Sequence, residues 1–202
     1  MTRSSPDLIT RVAAALDDPG AASSDFDLNP GTVLPEGRVL RQAAVLIAIE
    51  DTGAAPQVIL TKRASGLKHH PGQIAFPGGK KDEADASLAA AALREAREEI
   101  SLPSDAVTLL GALPCHETVT GFSVTPFLGR VSAEFEAKSE PGEVAEIFRV
   151  PLDHVLDPAQ YVIEGRIWRG TMRRYYAVPY GPYYIWGATA RMLRALADRV
   201  AA

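Results

Sequence analysis

The apolar positions along the chain follow two spacings, one typical of helices and the other of strands. Residues 6–17 and Thr189–Val200 carry apolar side chains three and four positions apart, which predicts an amphipathic helix near each end. Between them, Ala43–Ile49 is an uninterrupted apolar run of strand length, which predicts a strand buried on both faces. Further strands are predicted over 58–61, 107–112, 124–131, 143–150 and 168–178. Since strands and helices follow one another without a regular βαβ rhythm, we expect an α/β sandwich around a mixed sheet.

The first part of the chain differs in composition from the rest. Residues 18–37 are rich in Pro, Gly, Ser and Asp, which is typical of a connecting loop. We therefore expect residues 1–37 to form a helix and a loop that pack on one domain comprising residues 38–202. A chain of 202 residues with 47% hydrophobic content is long enough to bury one core of this kind.

Composition and charge exclude several classes of function. No apolar run approaches the roughly 20 residues of a membrane span, and the first residues lack the apolar core of a secretion signal. With Cys115 as the single cysteine no intrachain disulfide can form, which favours a cytoplasmic location. The net charge of −4 argues against a nucleic-acid partner that binds through many phosphates. A small molecule is the expected partner.

The segment 86–100 has the clearest helical pattern of the chain. Ser87 or Asp85 can cap its start, and Pro103 stops it. On a helical wheel, one face carries Ala89, Leu93, Ala96 and Ile100, and the roughly opposite face carries Glu95, Glu98 and Glu99. Three carboxylates this close repel one another, and a divalent cation among them removes that repulsion. The alternative is a solvated acidic face with Arg94 and Arg97 as compensating neighbours.

The glycine turn Phe76-Pro-Gly-Gly-Lys80 precedes this helix and brings backbone close to whatever lies beneath it. Together the two segments resemble the Nudix box, G-x5-E-x7-R-E-U-x-E-E-x-G-U, where U is a bulky aliphatic residue. The residues that match it by type are Gly79, Arg94, Glu95, Glu98, Glu99 and Leu102. The chain departs from the box by one extra residue between Gly79 and Arg94, so that Asp85 or Ala86 stands in place of the first Glu. Ala96 stands at the aliphatic position, and Ser101 replaces the second Gly.

This resemblance implies a Nudix α/β/α sandwich that binds Mg²⁺ or Mn²⁺ and hydrolyses a phosphoric anhydride. It makes Glu95 and Glu99 the expected metal ligands and Glu98 a third ligand or the general base. Arg94 becomes the structural partner of these carboxylates, so that Glu98, Glu95 and Arg94 form the expected catalytic set.

The segments upstream of the box narrow the substrate. Lys62, Arg63, Lys68 and His70 can together hold a diphosphate, although His69 and His70 are equally typical of an exposed loop. The string from Leu60 to Gly79 resembles the signature L-L-T-x-R…H-x-G-Q-x-x-F-P-G-G of the coenzyme A diphosphatase branch of the Nudix family. Thr118–Pro126, Glu143–Leu152 and Ile185–Ala190 resemble that branch too, so the similarity runs from about residue 41 to residue 196.

The branch implies cleavage of coenzyme A to 4′-phosphopantetheine and 3′,5′-ADP. The substrate-binding residues that it implies are Arg63, Lys68, His70, Gln73, Gly78 and Gly79. Two alternatives stay open, namely a Nudix hydrolase for another nucleoside diphosphate derivative or an oxidised dNTP, and a non-catalytic nucleotide-sensing module.

Three further groups of residues have more than one interpretation. Cys115 beside His116 and Glu117 suggests a nucleophile, but adjacent strand residues point to opposite faces, so a half-buried cysteine is expected. Glu143 or Glu146 is a candidate to complete the metal site or to activate water. The tyrosines of the C-terminal part can stack on adenine, pack in the core or form a homodimer contact; they are Tyr175, Tyr176, Tyr180, Tyr183 and Tyr184.

Overall fold

The structure is a computed structural model that describes residues 5–18, 20–53, 55–168 and 170–202. Its helices are α1 (Ser5–Ala14), α2 (Leu88–Ile100), α3 (Leu152–Leu156) and α4 (Ala188–Ala201). Its strands are β1 (Ser23–Ser24), β2 (Arg41–Glu50), β3 (Gln57–Arg63), β4 (Ile74–Ala75), β5 (Gly78–Lys80), β6 (Val107–Ala112), β7 (His116–Glu117), β8 (Phe122–Val131), β9 (Val144–Pro151), β10 (Val162–Trp168), β11 (Thr171–Tyr180) and β12 (Tyr183–Trp186). None of the described helices is long and apolar enough to cross a membrane.

The central sheet is mixed, as predicted. Nine of the described strands belong to it, in the order β1-β7-β8-β2-β3-β4, with β5 paired to β2, β6 to β8 and β9 to β3. Strand β2 runs parallel to β8 but antiparallel to β3 and β5. The remaining strands, β10, β11 and β12, form a separate antiparallel sheet.

Strand β2 is buried on both faces, which confirms the expectation from its continuous apolar run. Ile47 and Ile49 lie in one core together with residues of α1, α3 and α4, whereas Leu46 and Ala48 lie in a second core with residues of α2. Because alternate strand residues point to opposite faces, the sheet separates two apolar layers, one covered by α1, α3 and α4 and the other by α2. The expected α/β/α sandwich is thereby confirmed.

The N-terminal helix packs into the larger of these cores. Leu8, Ile9 and Val12 of α1 are buried there, and the Arg11 side chain donates a hydrogen bond to the carbonyl of Val200 at 2.8 Å. The helix ends at Ala14, three residues before the predicted end. Residues 1–4 of the predicted N-terminal segment lie outside the described residues.

The strand predicted over 168–178 is confirmed in β11, which begins three residues later, at Thr171. The sequence did not predict β10, which ends at Trp168 and forms a hairpin with β11. Over Val162–Ile167, strand β10 has no buried face, because each of these residues is exposed. A strand of this kind carries no alternation of buried and exposed positions, so the sequence pattern gave no signal for it.

Candidate active site

Helix α2 carries the acidic residues and has defined caps at both ends. The Ser87 hydroxyl accepts a hydrogen bond from the Ala90 backbone N–H at 3.1 Å, so Ser87 rather than Asp85 is the N-cap. At the other end Ser101 adopts the left-handed conformation, with φ 57° and ψ 27°. Glycine adopts this conformation without steric cost, which explains why the box has glycine at this position. The chain therefore keeps the backbone turn of the box without its glycine.

The three glutamates of α2 have different environments. Glu99 is buried with 5% exposure, whereas the side chains of Glu95 and Glu98 are 17% and 56% exposed. The helical-wheel expectation that all three share the face opposite the apolar one was wrong for Glu99, which lies on the buried side with Ala92 and Ala96. Glu99 therefore faces the sheet from inside the fold, and Glu98 faces solvent.

The glycines before the helix lie against these carboxylates. Gly78 and Gly79 belong to strand β5, which pairs with β2, so the expectation of a turn at this point was wrong. The Gly78 N–H donates to Glu99 Oε2 at 3.3 Å. A Cβ atom on Gly79 would lie 2.3 Å from Glu95 Oε1, well inside van der Waals contact. The expected close approach of backbone is thus made, and its targets are Glu95 and Glu99.

Arg94 links the acidic residues to one another. Its Nε and Nη2 donate to the two carboxylate oxygens of Asp85 at 3.0 Å each, and its Nη1 donates to Glu95 and Glu98 at 3.0 Å each. A further bond runs from Nη2 to the Lys80 carbonyl at 3.2 Å. The contact made by Asp85 raises the pKa of Arg94, so the guanidinium stays charged. Arg94 is therefore bonded as a structural partner of the carboxylates, and Asp85 supplies the acid that the box has at its first Glu.

Burial and mutual repulsion disfavour the charged forms of Glu95 and Glu99. Burial raises the pKa of Glu99 to about 7, and the charges of Glu95 and Glu143 add to this effect. The Gly78 N–H and the charge of Arg63 oppose it. Burial also raises the pKa of Glu95, against the lowering effect of Arg94 and with a further contribution from Glu143. Glu143 therefore acts on both residues.

Glu146, the other acid considered for this role, is bound elsewhere. Its carboxylate accepts a hydrogen bond from the Tyr183 hydroxyl at 2.5 Å. The charge of Glu143 thus acts on the acidic cluster of α2, which consists of Glu95, Glu98 and Glu99. Glu146 instead lies against Tyr183.

The donor set suits a hard divalent cation. Glu95 and Glu99 offer carboxylate oxygens, which Mg²⁺ and Mn²⁺ prefer. Burial is the main cause of their raised pKa values, and a cation bound there would favour the charged forms. Within the described ranges, no three His, Cys, Asp or Glu side chains are arranged so that they could hold a metal ion. Arg94 Nη1 brings the carboxylates of Glu95 and Glu98 together, whereas Glu99 lies on the buried side of α2. The two carboxylates that lie against the Gly78–Gly79 edge are those of Glu95 and Glu99.

Arg63 is a predicted substrate-binding residue whose charge acts on Glu99 of α2. It lies at the end of β3, next to an irregularity in the pairing with β9, and its charge lowers the pKa of Glu99. Its Nε is buried and has no hydrogen-bond partner among the described residues. A buried donor without a partner is costly, and a phosphate oxygen is a suitable acceptor for it.

The other predicted substrate residues lie farther along the same loop. Lys68 and His70 are exposed, and His70 adopts a left-handed backbone with φ 54°. Gln73 is half-buried. Its amide nitrogen would lie 3.8 Å from a Cβ atom added to Gly187, the residue before α4. The structure therefore places Arg63, Gly78 and Gly79 at the acidic cluster, Lys68 and His70 on an exposed loop, and Gln73 towards α4.

A buried histidine that the sequence did not reveal joins the N-terminal loop to the sheet. His116 is fully buried, and its ring nitrogens bond the Ser23 hydroxyl at 2.9 Å and the Asp25 carboxylate at 3.1 Å. Its partners lie more than 90 positions away along the chain, so no local pattern could have identified them. The adjacent Cys115 is exposed, and the expectation that it is half-buried was wrong.

Core packing is the observed arrangement for three of the five tyrosines. Tyr176, Tyr180 and Tyr183 pack against the larger core, and the Tyr183 ring stacks on Phe148 with a centroid distance of 3.7 Å. Tyr184, on β12, instead donates a hydrogen bond to Glu164 on β10, the opposite edge strand of the three-stranded sheet. It also contacts the Tyr175 hydroxyl at 3.4 Å.

Comparison with known proteins supports the same interpretation of the box. A family model described as the NUDIX domain matches residues 40–168. A protein of Enterobacter sp. (strain 638) named "Uncharacterized Nudix hydrolase NudL" is 45% identical over 160 residues, which cover 79% of this chain and 83% of the relative. A protein of the same name from Salmonella heidelberg is 44% identical over 177 residues, covering 88% of this chain and 92% of the relative.

Among solved structures, a Nudix hydrolase from M. smegmatis, RenU, aligns with a TM-score of 0.48 and 25% identity, covering 57% of this chain and 73% of that one. The match to the family model spans well over half of the chain and includes both the glycine strand and the acidic helix. This chain belongs to the Nudix hydrolase family.

Proposed function

We propose that this chain is a Mg²⁺-dependent pyrophosphohydrolase that cleaves the diphosphate of coenzyme A or its derivatives to 4′-phosphopantetheine and 3′,5′-ADP. The observation that carries the hydrolytic part is the placement of Glu95 and Glu99 against the backbone of Gly78 and Gly79. The charge of Arg63 acts on Glu99, and its buried Nε has no hydrogen-bond partner among the described residues, so it can donate to an anion. Carboxylates that can bind a cation, next to an arginine that can bind phosphate oxygens, suit a diphosphate that is bound together with a metal ion.

The choice of coenzyme A is supported by the sequence around the site. It rests on the resemblance of the string Leu60–Gly79 to the coenzyme A diphosphatase branch, and on the Gly121-Phe122 segment that follows the box. The relatives' name specifies a Nudix hydrolase and no substrate. Another nucleoside diphosphate derivative or an oxidised dNTP is therefore the first competing substrate class.

In the proposed reaction, a water oxygen attacks phosphorus and the bridging P–O bond breaks, without a covalent intermediate on the protein. Mg²⁺ or Mn²⁺, held by Glu95 and Glu99, would lower the pKa of that water and neutralise charge on the leaving phosphate. Arg94 keeps Glu95 and Glu98 in position through its fixed contact with Asp85. Arg63 and Lys68 orient the diphosphate, with His70 and Gln73 contacting the rest of the substrate.

Two carboxylates are available to accept the proton of the attacking water. Glu98 is exposed on α2 and bonded to Arg94 at 3.0 Å. Glu143 is exposed as well, and its charge acts on both Glu95 and Glu99. An acceptor must reach the water within hydrogen-bond distance, so the variant whose kcat falls at unchanged metal affinity identifies the base.

A substrate panel tests the proposal directly. The full chain with Mg²⁺ is incubated with coenzyme A, dephospho-coenzyme A, ADP-ribose, NADH and an oxidised dNTP, and the products are identified by mass spectrometry. We expect the coenzyme A compounds to turn over and to yield 3′,5′-ADP where the 3′-phosphate is present. Turnover of another compound with coenzyme A left intact contradicts the branch assignment. No turnover of any compound, together with tight binding of one, indicates the nucleotide-sensing module.

The substitution Glu99→Gln separates catalysis from folding. It keeps the size of the side chain but removes the charge that would hold the cation, so we expect turnover to fall at least about a hundredfold. The rise in melting temperature on adding Mg²⁺ should disappear as well, since a ligand stabilises only the state that binds it. Glu134→Gln, at an exposed position, is the matched control. Normal turnover by Glu99→Gln would contradict the proposed mechanism.

A further inference from the structure

Strand β10 is an exposed edge with apolar side chains. In its sheet the order is β10-β11-β12, and among the described strands β10 pairs with β11 alone. Ile163 and Ile167 are 54% and 68% exposed, and Met172, opposite Ile167 on β11, is 55% exposed. Unpaired backbone groups on an edge strand are a template for another strand, and natural edges are usually protected from such pairing. This edge carries two charged residues, Glu164 and Arg166, between exposed apolar ones.

The sequence of β10 is complementary to itself when it is read in the opposite direction. The stretch Ile163-Glu164-Gly165-Arg166-Ile167 has a base and an acid at equal distances from Gly165, and an isoleucine beyond each. If two copies pair antiparallel about Gly165, Glu164 of each copy lies opposite Arg166 of the other. Each Ile163 likewise lies opposite an Ile167. Directly opposite residues share a face of the sheet, so both kinds of pair are in contact.

The charges within one copy favour this arrangement. In the register of the hairpin, Arg166 lies directly opposite Arg173 of β11, and like charges in that position repel. No carboxylate of the described chain forms a salt bridge with Arg166. Glu164 is held on the same face by the Tyr184 hydroxyl at 2.5 Å. In the antiparallel pair, Arg166 of one copy therefore lies opposite the positioned Glu164 of the other copy.

We propose that two copies of this chain associate through β10, forming one six-stranded antiparallel sheet with a two-fold axis at Gly165. The same surface of each copy then meets itself, as a closed two-fold dimer requires. Gly165 has no side chain at the axis, and Ile163, Ile167 and Met172 of both copies form one apolar strip beside it. This dimer is independent of the proposed function, since no residue of the acidic cluster lies on β10.

A charge exchange tests the dimer. Wild-type protein should sediment as a dimer. Either Arg166→Glu or Glu164→Arg should raise the dissociation constant of the dimer about tenfold or more, because each reversal acts at two symmetric contacts. The double variant Glu164→Arg/Arg166→Glu restores opposite charges and should restore the dimer. Lys138→Glu makes the same change of charge at an exposed site elsewhere and should leave the dimer intact.

The single variant Arg166→Glu is expected to remain folded, since it replaces the repulsion from Arg173 by an attraction. Circular dichroism checks this before sedimentation. A wild-type chain that stays monomeric at high concentration overturns the proposal. A dimer that survives both single reversals also overturns it, and so does a folded double variant that stays monomeric. The substrate panel remains a separate test of the catalytic site.

Discussion

The substitution Gly79→Ala tests whether the backbone of β5 sets the position of Glu95. The added Cβ would lie 2.3 Å from Glu95 Oε1 and 2.5 Å from its Cδ. Ordinary contact between such atoms is near 3.5 Å, so the carboxylate has to move by about 1 Å. Gly79 does not need a left-handed backbone, and therefore the substitution acts through this contact rather than through strain at residue 79.

A displacement of about 1 Å in a group that positions the reaction can lower the rate about a hundredfold. We expect Gly79→Ala to reduce kcat by that order, because the displaced carboxylate is a proposed metal ligand. The stability should change by less than about 2 kcal/mol, since a flexible side chain can give way. The measurements are kcat at saturating Mg²⁺ and the free energy of unfolding in urea.

Gly78→Ala is the matched control for this experiment. Its Cβ would meet the Ala44 carbonyl oxygen at 2.5 Å and the Val45 Cα at 2.6 Å, which belong to the backbone of β2 and cannot turn aside. We expect this variant to lose more stability than Gly79→Ala, because β5 must move away from β2 and because Gly78, with φ 155°, has a backbone conformation that other residues rarely adopt. Full activity in Gly79→Ala, or equal loss of stability in both variants, would refute the argument from close approach.

Two further predictions concern the ends of the acidic helix. Ser101→Gly should stabilise the protein by about 0.5–1 kcal/mol without changing kcat, because Ser101 has the left-handed conformation that costs other residues energy; an unchanged melting temperature would contradict this. Asp85→Asn should weaken Mg²⁺ binding about tenfold while the fold persists, because Arg94 loses the charged partner that fixes it. Metal titration by calorimetry measures the change, and wild-type affinity in this variant would show that Arg94 is held by its other contacts.

The sequence by itself determined the elements that depend on neighbouring residues. The unbroken apolar run of β2 required a strand buried on both faces, whichever elements covered it. The spacing of acids and arginines on α2 identified the Nudix box, even though the insertion left the choice between Asp85 and Ala86 open. These features were predictable because residues three or four apart on a helix, and alternate residues on a strand, have fixed relative directions.

Only the tertiary structure decided which of these residues act together. Glu98 and Glu99 are adjacent in the chain, yet Glu99 is buried beside Gly78 and Glu98 is exposed, because the sheet covers one side of α2 only. The charge of Arg63, at the end of β3, acts on Glu99 of α2, although the two residues are far apart in the sequence. Burial and charge at such a site come from surfaces that meet only after folding, and the periodicity of a single helix or strand contains no record of them.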